Sequence, residues 1–145
     1  MYKHILIPTD GSPLSEQAIR QGVALAKSLH ARITGVTVSP PFHTFAVDPA
    51  VVTDTPAQYA KHCEAQAAHA LGAIKDAAAL KGVPCKLVHV VKDHPYQAII
   101  ETADAEGCDL IFMASHGRKG LSAVVLGSET TKVLTHSKTP VLVCR

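Results

Sequence analysis

The chain has 145 residues, 47% hydrophobic and 18% charged, with a formal net charge of +2. That length fits one domain around a single core, and the apolar content argues against disorder. No apolar run approaches the ~18–20 residues that cross a bilayer. The small net charge, with basic residues scattered apart from Arg118-Lys119, gives no electrostatic footprint for nucleic acid.

The chain enters a strand pattern almost at Met1, with no signal-peptide pattern, so a cytoplasmic protein is expected. His4 to Pro8 is the first strand. Ser12 offers a helix N-cap and Pro13 a preset first helical residue, and Ala18, Ile19, Val23, Leu25, Ala26 and Leu29 follow a helical period. The β-branched run Arg32 to Val38 is the second strand, ending at Ser39-Pro40-Pro41. Residues 40–54 form an irregular connection in which Phe42 and Phe45 look exposed, the pattern of a functional or partner-facing loop.

Thr55-Pro56 restarts a helix whose apolar face is Ala60, Cys63, Ala67, Ala70, Leu71, Ile74 and Ala78, stopped by Gly82 and Pro84. Leu87 to Val91 is the third strand, and Pro95 starts a helix that ends near Gly107. Asp109 to Met113 is the fourth strand, Ser128 to Ser137 the fourth helix, and Thr139 to Cys144 the last strand. Strand and helix alternate, which implies a parallel sheet covered on both faces. Cys63, Cys85, Cys108 and Cys144 form no CxxC and are read mostly as buried free thiols. The nine histidines make no HxxxH or HExxH pair.

The most informative stretch is Met113 to Ser128. An apolar strand empties into small and basic residues, and Gly127-Ser128 then opens a helix. Small residues let a phosphate approach backbone N–H groups, and a helix N-terminus adds unpaired donors and partial positive charge. This is not a Walker A loop, because no Lys-Ser or Lys-Thr follows the second glycine.

These residues resemble the nucleotide loop of universal stress proteins, whose pattern is Gly-x2-Gly-x9-Gly-Ser/Thr. Here it reads Ala114-x2-Gly117-x9-Gly127-Ser128. The likeness runs over the whole chain, residues 1–145, as one universal stress protein domain. It includes Ile7-Pro8-Thr9-Asp10-Gly11-Ser12 and Pro140-Val141-Leu142-Val143. It implies a single-domain, Rossmann-like α/β fold: an open five-stranded parallel sheet in the order 3-2-1-4-5 with helices on both faces. The strand order would then reverse between strands one and four, where such sheets hold ligands.

The resemblance further implies binding of ATP, with Mg2+ or Mn2+, by a stress-response sensor or regulatory module with at most slow hydrolysis. Residues at the positions of Asp10, Val38, Gly117, Gly127 and Ser128 contact the nucleotide in ATP-binding members. Pro8 and Thr9 join Val38 as backbone groups that could cradle an adenine. Asp10 could take ribose hydroxyls or help to hold the metal. Met113, Ala114, Ser115, His116 and Arg118 complete the loop, and Glu129 and Thr130 the helix opening. The family also implies a homodimer through Val141–Cys144.

Plainer readings stand beside these. Asp10-Gly11-Ser12 can be only a turn with a helix cap, and Gly127-Ser128 only a helix start. His116 is read as a loop residue rather than a catalytic base, and no residue is assigned a catalytic role. The alternative functions are a family member without nucleotide, acting by dimerisation and partner contacts, and an adenine-nucleotide hydrolase. Two departures from the family pattern bear on the first. Ala114 replaces a glycine, which matters if φ there is positive. Val91-Lys92-Asp93-His94-Pro95 lacks the glycine common before that proline, and lies one step from the crevice, where a small effect is expected.

Overall fold

Strands that bury side chains on both faces set the layers of this molecule. The computed structural model describes residues 1–42, 55–117 and 126–145. The elements are β1 (His4–Pro8), α1 (Pro13–Leu29), β2 (Arg32–Ser39), α2 (Pro56–Lys81), β3 (Cys85–Val91), α3 (Pro95–Glu106), β4 (Leu110–Ala114), α4 (Ser128–His136) and β5 (Val141–Cys144). All pairings are parallel, in the order β3-β2-β1-β4-β5. The order expected from the family resemblance is the order observed.

Alternation along the central strands divides the core in two. Ile5 and Ile7 of β1, with Leu110 and Phe112 of β4, pack with Ile19 and Val23 of α1 and Ile74 of α2. Leu6, Ile111 and Met113 point the other way, toward Ile99 of α3 and Val133 of α4. Full burial of each such side chain is worth roughly 1.5–3 kcal/mol, so the two layers hold the central strands in place.

The turn chemistry explains most boundaries. Ser12 caps α1 by accepting the Ser15 N–H, and Thr55 caps α2 in a reciprocal pair with Gln58. Gly82 and Gly107 close α2 and α3 in the left-handed region, at φ of 65° and 67°. Two details differ from the sequence reading. Ala60 is exposed, and Tyr59 holds that place on the buried face of α2, its hydroxyl donating to the Pro40 carbonyl. Phe42 is half-buried and sets its ring edge-on to Tyr59, with centroids 5.6 Å apart. Phe45 and the rest of residues 43–54 lie outside the described residues. No described helix is long and apolar enough to cross a membrane.

Asp109 is the polar tie at the start of the sheet. It stands just before β4, and its carboxylate accepts the N–H groups of Lys3 at 2.8 Å and His4 at 3.0 Å. Its own N–H donates to the His4 carbonyl. His4 is buried, with Nε2 in a 2.8 Å hydrogen bond with the Thr34 hydroxyl and Nδ1 without a hydrogen-bond partner. Burial lowers the His4 pKa below its ordinary 6.5; Arg32 acts in the same direction, while Asp109 and Glu106 oppose it.

Below about pH 6.5 the unfolded chain therefore binds a proton that the folded chain resists, and stability falls as the pH drops. Urea midpoints taken from about pH 7.5 down to pH 5 should decline in the wild type. His4→Gln should flatten that slope; an unchanged slope would mean that His4 does not carry it.

Candidate functional site

β1 and β4 both end at the point where the strand order reverses, and their turns meet there. At the end of β1, Thr9 donates its N–H to the Val36 carbonyl at 2.9 Å, and the Thr37 hydroxyl donates to the Thr9 carbonyl at 2.7 Å. Gly11 follows at φ 79°, a conformation that costs other residues energy. One carboxylate oxygen of Asp10 accepts the Ser12 N–H at 2.9 Å and the Ser15 hydroxyl at 2.7 Å, which makes the turn. The other faces Gly117, where a Cβ would stand only 2.5 Å from Oδ2. Asp10 is thus a turn residue through one oxygen and a wall of the site through the other.

The second turn is tied to α4 by main-chain bonds. Ser115 donates its N–H to the Cys144 carbonyl and accepts the Gly127 N–H, each at 2.8 Å. The Thr130 hydroxyl donates to the Ala114 carbonyl at 3.0 Å. The approach at 127 is close: a Cβ would come within 3.2 Å of the Ser115 oxygen and 3.3 Å of His116 Cα, so these backbone neighbours would have to give way by a few tenths of an ångström. Gly127 is the N-cap and offers no side chain, and the first bond of the helix runs from the Thr131 N–H to the Gly127 carbonyl. The N–H groups of Ser128, Glu129 and Thr130 therefore have no intrahelical acceptor.

Between these turns lies a cavity of about 500 Å³, within the ~300–1,000 Å³ usual for small-molecule sites. Pro8, Thr9, Asp10 and Val38 line one side, and Met113, Ala114, His116 and Gly117 the other. Gly127, Ser128, Glu129 and Thr130 close it at the start of α4. Ser115 stands behind the wall, buried, with its hydroxyl in a 3.0 Å hydrogen bond with His116 Nδ1. Arg118 and Lys119 lie outside the described residues.

Val38 reaches the cavity through the sheet's own geometry. The β1–β2 register ends at Pro8 opposite Val36. In a parallel ladder the N–H and C=O of one residue point to the same neighbour, and alternate residues share that direction. The Val38 peptide groups therefore point as those of Val36 do, past the last rung of β1.

Ala114 sits in β4 opposite Cys144, and His30 is the sole described non-glycine residue with positive φ. The backbone there is extended, so the methyl group in place of glycine is accommodated, packed into the core.

One expectation is overturned. Asp93 and Pro95, placed one step from the crevice by sequence, line the cavity together with Ile99. The reason is that α3 packs across β2, which brings Pro95 and Ile99 to the cavity that the end of β1 also lines. Ser15 and Val36 were also missed as lining residues. The Ser12-x-x-Ser15 spacing was a usable signal for the first; Val36 reads only as a strand residue. Among the described residues, no group of three His, Cys, Asp or Glu side chains could hold a metal.

Comparison with known proteins fixes the family. Residues 1–145 match the universal stress protein family profile. The chain belongs to that family. Among relatives, universal stress protein MJ0531 of Methanocaldococcus jannaschii is 29% identical over 150 residues, covering 100% of this chain and 83% of that one. Among solved structures, protein MJ0577 superposes with a TM-score of 0.82 at 29% identity, covering 99% of this chain and 95% of its own. Two more distant structures share the fold. One is a universal stress protein in complex with cAMP (TM-score 0.72, 23% identity, 99% of this chain and 97% of that one). The other is from Archaeoglobus fulgidus in complex with dAMP (0.62, 16%, 99% and 98%).

Because Gly127 packs on backbone, Gly127→Val should lower stability by about 1–3 kcal/mol. Ser128→Ala, at an exposed hydroxyl with no bond to lose, should change it by less than about 0.5 kcal/mol. Thermal melts of the two variants would check this, and equal melting points would contradict the packing argument.

Proposed function

We propose that this universal stress protein binds an adenine nucleotide, with ATP as its ligand, and acts as a cytoplasmic stress-response module. The observation that carries the reading is the span of one cavity across three strand tips. At its β2 end the Val38 N–H and C=O offer a donor and an acceptor, which suits the amino and ring-nitrogen edge of adenine. At its β4 end the unpaired amides of α4 suit an anion. Asp10 stands between, within reach of ribose hydroxyls. The cAMP and dAMP complexes belong to distant relatives and support the fold that such ligands use.

A divalent ion, Mg2+ or Mn2+, would arrive on the phosphates, since the described side chains form no metal group of their own. Asp10 Oδ2 is the carboxylate oxygen that could meet it. The His116 ring shares a hydrogen bond with the Ser115 hydroxyl; in this reading the protein holds its ligand and turns it over slowly at most.

Titration with a fluorescent ATP analogue and Mg2+ should saturate for the wild type. Gly117→Val, which pushes a side chain onto Asp10, should weaken binding by roughly ten-fold or more. Absence of saturable binding by the wild type would remove the nucleotide reading.

A second property has its own observation. β5 is an edge strand, and Leu142 is 40% exposed on it. An apolar edge is a template for pairing with another chain, so the protein is proposed to form a symmetric homodimer through Val141–Cys144. This is also the surface on which the non-nucleotide alternative would rest. Light scattering should report a dimer for the wild type and a monomer for Leu142→Glu; an unchanged mass would place any interface elsewhere.

A further inference from the structure

We propose that Glu129 tunes the response of the cavity to phosphate number, as a fixed negative charge that weakens the hold on ATP more than the hold on AMP. The inference rests on the adenine-nucleotide reading and names a specificity residue within it.

The argument starts at α3, which begins without a cap of its own: His94 precedes Pro95 and makes no side-chain cap bond. The orphan amide of Tyr96 is taken instead by Glu129, whose Oε2 lies 2.9 Å from it. One carboxylate thus belongs to the first turn of α4 and caps the first turn of α3. Its other oxygen lies 3.3 Å from Lys132 Nζ, an exposed pair of small energy. The Lys132 ammonium stands 5.6 Å from the centre of the Tyr96 ring, which also packs against His136 with centroids 5.3 Å apart. Moving the carboxylate away would uncap α3 and disturb this cluster. It is held in place by the fold.

Glu129 also lines the cavity, in the same turn whose amides attract an anion. Those amides carry about half a positive charge in total, while the carboxylate carries a full negative one. A single phosphate seated on the amides gains from them and pays a modest penalty to Glu129. Each further phosphate adds negative charge to a cavity that this carboxylate borders, with no further amides from α4 to offset it. The penalty therefore grows with phosphate number.

Glu129→Gln keeps an oxygen to accept the Tyr96 N–H and removes only the charge. Affinities for AMP and ATP should be measured by calorimetry at low salt without divalent ions. ATP affinity should rise about five-fold and AMP affinity less than about two-fold, with the difference shrinking as salt is added. Lys132→Ala exposes the same carboxylate more fully and should move the ATP-to-AMP ratio the other way. Hydrogen exchange at the Tyr96 amide should stay slow in Glu129→Gln and accelerate in Glu129→Ala, which confirms the cap. Equal changes for AMP and ATP, in a wild type that binds both, overturn the proposal and leave the nucleotide reading intact. Failure of the wild type to bind either nucleotide overturns both.

Discussion

The site depends on the attachment of α4 to the end of β4 by backbone. The Gly127 N–H meets the Ser115 carbonyl, and the Thr130 hydroxyl meets the Ala114 carbonyl. These bonds fix where the N-terminus of α4 points, and with it the direction of its unpaired amides. They are helped by the lack of a side chain at residue 127, where a Cβ would crowd the Ser115 and His116 backbone. The geometry follows from small residues at a crossing of two backbones, and the electrostatics follow from the geometry.

The turn after β1 obeys a similar economy. Asp10 spends one oxygen on the Ser12 amide and the Ser15 hydroxyl, which stiffens the entry into α1. The second oxygen stands at a set position against Gly117. A flexible carboxylate would lose entropy on meeting a ligand; one already tied down loses less. Structural and functional readings of this turn are therefore one arrangement seen from two sides. Glu129 repeats the pattern on α4, where a residue that lines the cavity also supports a neighbouring helix through its carboxylate.

Much of this was legible in order along the chain. Ser12-Pro13, Thr55-Pro56 and Gly82 are caps, and local chemistry alone dictates what they do. Gly117 and Gly127-Ser128 stood out as small residues that would let a phosphate approach the backbone, while the packing of Gly127 on Ser115 and His116 appears only in the fold. Asp93 and Pro95 were expected one step from the crevice and line it instead, since nothing local says that α3 packs across β2. Tyr59 displaced Ala60 from the buried face of α2 for a similar reason: a partner distant in sequence, the Pro40 carbonyl, claims its hydroxyl.

By itself the sequence determined the alternation of strands and helices, their caps, and the two turns rich in small residues. Each of these is set by neighbours within a few positions, through dihedral preference, capping or side-chain period. Only the tertiary structure decided that Val38 would extend past β1, that Ala114 would be extended, and that Glu129 would cap a helix beginning 34 positions earlier. Those outcomes depend on strand register and helix packing, which arise from contacts between segments far apart in the chain.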